Sequence, residues 1–306
     1  MNVMTRALIT TKFLIYMHAV LLSLSISALA NEQVAIQAII YSVLDDSCDT
    51  GTNLNGSLII RSQADVDNVE GGCAIFGDVL FLNTENVDLS GLRNVRIISG
   101  SLILEDNSSQ VTLDNFNSLL TVGGRISVLR NANLANIEGF SKLKSVGNYF
   151  AIIDNHNLTG LSNFANLTIV GSYFQVGDNL NLRALIGFNK LERVGAFFAV
   201  GGNVSLAMIN GFSSLVSIGG FYQVFNNLAL QRISGFESLE SIVSNFVLSG
   251  QNSLNEISGY NSLTKEGVSN AIEIFDNQSL NCPAFFSRLE PLNNSSNNFT
   301  DCRSEP

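Results

Sequence analysis

The phrase "GSYFQVGDNLNL", residues 171–182, returns every 24 residues: "GNYFAIIDNHNL" stands before it and "GAFFAVGGNVSL" after it. A fixed period of this length marks a chain of stacked coils, each too small to bury its own apolar edge. The register holds column by column. Leu119, Leu143, Leu167, Leu191, Leu215, Leu239 and Leu263 are each 24 apart. Phe150, Phe174, Phe198, Tyr222 and Phe246 form an aromatic column, with Ile152, Val176, Val200, Val224 and Leu248 two residues on. A second aromatic column, Phe140, Phe188, Phe212, Phe236 and Tyr260, is preceded each time by glycine.

These columns predict local structure. In "YFQV" alternate residues point to opposite faces, so Phe174 and Val176 turn inward while Tyr173 and Gln175 turn outward. Two turn clusters within 24 residues leave little room for a helix. Each unit therefore reads as one coil of short strands and bends, stacked on its neighbours as parallel sheet at about 4.8 Å. Between strand and next apolar run lies an asparagine column: Asn131, Asn155, Asn179, Asn203 and Asn227. Asparagine tolerates left-handed backbone and bonds nearby backbone groups, so this column is expected at a bend, its copies bonding one another. About eight or nine coils are expected, an all-β solenoid.

The ends differ from the middle. Arg6 and Lys12 are the only charges before Glu32, and an apolar stretch from Phe13 to Leu29 ends in Ala28-Leu29-Ala30. That is the layout of a secretory signal peptide over residues 1–30, cleaved after Ala30. Residues 31–54 are expected to cap the first coil, 55–280 to form the solenoid and 281–306 to close it. No second membrane span is expected. Loss of Arg6 and Lys12 leaves 14 basic against 26 acidic residues, so nucleic acid and anionic membranes are unsuited partners.

All four cysteines lie in the exported part. Export and an even count favour disulfides, with three connectivities open. Because a solenoid holds its ends far apart, Cys48–Cys73 and Cys282–Cys302 are the expected pairs, each contributing roughly 3 kcal/mol. There is no CxxC, and His156 is the only exported histidine, so neither metal nor cofactor is expected.

The run "CAIFGDVLFL…DLSGLRNV", followed by repeated "L-x-x-V-G-x-x-F-x-V-x-x-N-x-x-L-x-x-I-x-G-F-x-x-L", resembles the receptor L-domain family over about residues 55–280. The resemblance implies a right-handed, leucine-rich-repeat-like parallel β-solenoid with a recognition or cell-surface role. No ligand contacts of that family map onto these residues.

Chemistry is sparse. There is no GxSxG, HExxH or P-loop. Asp154 and Asp178 share a column in adjacent coils, a spacing that suits a retaining polysaccharide-cleaving enzyme. Gly202, Asn226 and Gly250 continue that column and Arg130 precedes it, so a solvated bend is the simpler reading. Nine N-x-S/T sequons occur, among them Asn55, Asn107, Asn157, Asn166, Asn203 and Asn277; a eukaryotic host would glycosylate several. The outward column Tyr149, Tyr173, Phe197 and Phe221 is the candidate binding strip, for a sugar polymer by ring stacking or for a protein; the alternative is a ladder of stacked rings that stabilises the sheet, or a strip covered by a terminal segment. The reading is a secreted or cell-surface, non-enzymatic recognition or structural protein, with a polysaccharide-acting enzyme as the alternative.

Overall fold

The structure is a computed structural model, described here over residues 53–280 except 70, 85–86, 109–111 and 265. The expected signal peptide, the C-terminal cap and all but the end of the N-terminal cap lie outside these residues. So do Cys48, Cys282 and Cys302, and with them both expected disulfide pairings; Cys73 is buried and is not a free thiol.

The chain winds through about nine coils as an all-β parallel solenoid with three flat sides, sheets of nine, ten and six strands. One coil shows the path. Ile169–Val170 lies in the nine-stranded sheet, Phe174–Gly177 in the ten-stranded sheet and Ala184–Leu185 in the six-stranded sheet. Every strand pairing is parallel, and from Leu102 to Ser249 the ten-stranded sheet keeps the 24-residue register: Phe174 stands opposite Phe150 on one side and Phe198 on the other. Among the described residues helix is confined to Gln63–Asp67 and a 3-10 turn at Leu89–Leu92.

The inward columns fill the interior. Leu119, Leu143, Leu167, Leu191, Leu215 and Leu239 are fully buried, as are both aromatic columns. Phe150, Phe174, Phe198 and Tyr222 stack at 5.0–5.3 Å. The second column stacks at 5.0–5.5 Å from Phe116 to Tyr260. The columns meet edge to face, Phe174 against Phe188 at 5.1 Å and 88°. Parallel stacking along the axis with edge contacts across it satisfies the ring quadrupoles in both directions. Near one end tyrosines replace two of these rings, and Tyr222 and Tyr260 share a hydrogen bond of 2.6 Å between hydroxyls. Burial pushes both tyrosine pKa values up, so each stays neutral.

Two glycines show why the bends repeat. At Gly187 φ is +91°, a region costly for any other residue, and a Cβ would lie 2.1 Å from the Ser162 carbonyl oxygen. At Gly219, before the ten-stranded sheet, backbone dihedrals are ordinary but a Cβ would lie 2.0 Å from the Gly195 carbonyl oxygen. The repeat departs from 24 at both ends: the first steps are 21, from Leu58 to Val79, and 23, from Val79 to Leu102, and the last is longer. Leu263 keeps the 24-residue step from Leu239, but Val268 pairs with Ile242 and Asn277 bonds to Gln251, steps of 26. The two extra residues sit between Leu263 and Val268.

Candidate binding face

The ten-stranded sheet turns its outward residues to one broad side, and the candidate strip runs along one margin of it. Tyr149, Tyr173, Phe197 and Phe221 each stand one residue before a strand. Their rings stack with centroids 4.4, 4.5 and 4.8 Å apart and planes within 10° of parallel. The rings thus form the stacked ladder that is the alternative to a binding strip. The inner rings, Tyr173 and Phe197, have a neighbouring ring on both faces, and Tyr149 lies between Tyr173 and Arg125. Phe197 is buried, 4% exposed, with Ala196 and Ala199 packed against it, and the other three are half-buried. Tyr149 meets the Arg125 guanidinium, 5.5 Å from its ring centroid. Sugar stacking needs an open ring face, so the strip does not offer it along its length. Burial, then the neighbouring Tyr149, raises the pKa of the Tyr173 hydroxyl, which stays protonated.

Beside the ladder run two further outward columns. The middle one, Ser127, Ala151, Gln175, Ala199, Gln223 and Val247, is uncharged. The third was not read from the sequence: it carries Ile153, Gly177, Gly201 and Phe225. There the Phe225 ring lies flat over Gly201, so that a Cβ on Gly201 would stand 2.2 Å from ring carbons. Gly177 is itself buried, and a Cβ there would make ordinary contact with the Gly201 carbonyl oxygen at 3.4 Å. The signal was the same alternation that marked Tyr173 and Gln175, carried two residues further. Charge gathers at one end, where Ser127 donates to Glu105 at 2.6 Å and the buried Arg125 Nε has no hydrogen-bond partner.

The asparagine column is a ladder, as expected, but it is not where the backbone turns left-handed. Positive φ falls one residue earlier, at Asp106, Arg130, Asp154, Asp178, Gly202, Asn226, Gly250 and Asp276, with φ of 53–70°. That turn swings the next side chain inward. Asn131, Asn155, Asn179, Asn203 and Asn227 are buried, and the ladder extends to Thr84, Asn107, Gln251 and Asn277. Each amide oxygen accepts from the backbone N–H one coil before, as Asn179 does from Asn155 at 3.0 Å. Each amide nitrogen donates to a strand carbonyl, Asn179 to Ile152 at 2.9 Å. Buried polar groups are thereby paired at a corner no sheet could serve.

The left-handed column also explains the acids. Asp, Asn and Gly are the residues that accept this backbone at least cost, and they fill the column whether or not they carry charge. Arg130 pairs with Asp106 at 2.6 Å, which lowers the Asp106 pKa. His156 is exposed, 3.8 Å from the Asp154 carboxylate. Partial loss of water, then the Asp154 charge, raises the pKa of Asp178. A raised carboxylate pKa weakens the fold above its unfolded value, and the penalty disappears as pH falls toward about 4. Asp178→Asn is therefore expected to keep the fold and gain some tenths of a kcal/mol at pH 7, the gain fading toward pH 4. Denaturation midpoints at the two pH values check this; loss of a polysaccharide-cleaving activity in the same variant would instead favour the enzymatic alternative.

Among the six described sequons, Asn107, Asn203 and Asn277 belong to the buried ladder, while Asn55 and Asn157 are exposed. No group of three metal-ligating side chains occurs among the described residues, and no described helix is long and apolar enough to cross a membrane.

No protein-family model, curated protein or solved structure matches the chain.

Proposed function

We propose that this is an exported, non-catalytic recognition or cell-surface structural protein that binds through the outward face of its ten-stranded sheet. One observation carries the reading: in a chain of net charge −10, five consecutive strands, Phe150 to Ser249, present an outward face with no charged residue. Long apolar or neutral faces on acidic proteins are the kind that partners cover. The signal-peptide layout and the receptor L-domain resemblance of the sequence support the same reading. A protein partner fits better than a glycan, because edge-on, half-buried rings bury apolar area but offer no platform to a sugar ring. Where the partner acts, and whether the protein is anchored or secreted, belong to the same proposal.

The test leaves the aromatic ladder intact. Gln175→Glu with Gln223→Glu places charge in the middle column, at two half-buried positions that the core does not use. Binding to arrays of extracellular protein domains and of glycans is expected to fall by about tenfold or more while the thermal midpoint stays within a few degrees. Equal binding by wild type and variant would move the site to another face.

A further inference from the structure

The outward face has an internal symmetry that the repeat does not require. Seven strands, from Ile126–Leu129 to Ile272–Phe275, centre on Phe198–Gly201. Reverse their order about that centre and the middle column matches itself: Gln175 changes places with Gln223 and Ala151 with Val247, while Ala199 stays. Glu273, which accepts from Asn245 at 3.3 Å, comes opposite Ser127, one position from the half-buried Arg125. In the third column Gly177, which carries no side chain, comes opposite the half-buried Phe225. Among the left-handed bend residues, Asp154 meets Gly250, Asp178 meets Asn226, and Arg130 meets Asp276. Nowhere does the reversal set an acid against an acid.

We propose that the partner of this face is a second copy of the same chain. The two copies lie face to face with a two-fold axis in the interface, running along the strands through Ala199. The proposal rests on the reading of this face as a binding surface and names its occupant. Isologous two-fold contact is the commonest way a chain binds itself, and it demands self-complementarity of this kind. Arg125 of one copy comes near Glu273 of the other at both ends, and Phe225 of each lies against the flat backbone at Gly177 of the other. Seven strands at about 4.8 Å and four positions at about 3.3 Å make a face on the order of 30 by 13 Å. About 400 Å² per copy is roughly half of what a standard specific interface buries, so a weak dimer is expected, with a dissociation constant of roughly tens of micromolar or more.

Sedimentation equilibrium of the full chain after signal removal, from roughly 1 to 200 µM, reads the assembly directly. Wild type is expected to dimerise across that range. Gln175→Glu with Gln223→Glu sets like charges opposite each other twice and is expected to weaken the dimer about tenfold or more. Gln175→Lys with Gln223→Glu sets opposite charges together only if the strand order is reversed, and is expected to remain dimeric. Circular dichroism and the thermal midpoint confirm that both variants fold. A monomeric wild type at about 200 µM overturns the proposal, as does a dimer indifferent to the paired glutamates. Loss of the dimer in both variants overturns the reversed arrangement. Should wild type be monomeric yet bind another protein in a way the paired glutamates abolish, the binding face stands and the second copy falls.

Discussion

Asn179→Ala is expected to lower the unfolding free energy by about 3–4 kcal/mol, a large loss for one side chain that touches no ligand. The Asn179 amide oxygen accepts from the Asn155 backbone N–H at 3.0 Å and from its side-chain nitrogen at 3.3 Å. Its nitrogen donates to the Ile152 carbonyl at 2.9 Å and to the Asn203 amide oxygen at 3.2 Å. Alanine deletes all four and leaves the Asn155 N–H without a partner at a site sealed from water, a penalty of about 1–3 kcal/mol by itself. The remainder comes from the void and from polarised neighbours in the chain of bonds. Asn179→Asp keeps the shape but can only accept, so two acceptors face each other and a charge is buried. It is expected to fold less well than the alanine variant at pH 7 and to recover as acid neutralises the carboxyl. Urea denaturation gives the free energies, and faster hydrogen exchange at Asn155 gives the location. A loss under about 1 kcal/mol for alanine would show that water or a backbone shift replaces the ladder.

Phe188→Ala is expected to cost about 3–5 kcal/mol by leaving a ring-sized void. Phe188 is fully buried and stacks on Phe164 at 5.2 Å and Phe212 at 5.3 Å. It also meets the edges of Phe150 at 5.8 Å and Phe174 at 5.1 Å. Since each coil touches only its neighbours, the damage stays local before it becomes global. Native-state hydrogen exchange should show protection falling first between about residues 150 and 212, with strands near both ends of the described solenoid less affected. Phe221→Ala, in the half-buried outward ladder, is expected to cost only about 1–2 kcal/mol. If the two variants were equally damaged, the outward ladder would be part of the core and a weaker candidate for contact.

The two predictions rest on columns of unequal legibility. Phe188 was readable as core because its column is aromatic throughout and follows a glycine, a combination that only a buried bend explains. Asn179 was readable as a bend residue and a ladder member, but its sequence neighbour takes the left-handed backbone. Composition misled there: Asn tolerates that conformation, and so do the Asp, Gly and Arg residues just before it. The column that looked chemical, Asp154 followed by Asp178, is the one the backbone selects. The sequence also marked Tyr149, Tyr173, Phe197 and Phe221 as outward, which holds, yet outward is not exposed. Alternation fixes which side of a strand a residue leaves from; it says nothing of how closely the next coil's ring lies upon it.

The period, the inward columns and the presence of a bend beside each asparagine were determined by the sequence alone. A 24-residue repeat leaves stacking as the only way to bury its apolar positions, and strand alternation has only two faces. The tertiary structure decided everything that depends on distance between coils. It turned the asparagines into a continuous buried chain of hydrogen bonds and set the tyrosine and phenylalanine rings at 4.4–4.8 Å with their faces occupied. It also laid Phe225 over Gly201. Those outcomes arise between residues 24 apart, from rotamers and backbone angles that no single coil specifies, and they shape the surface another molecule would meet.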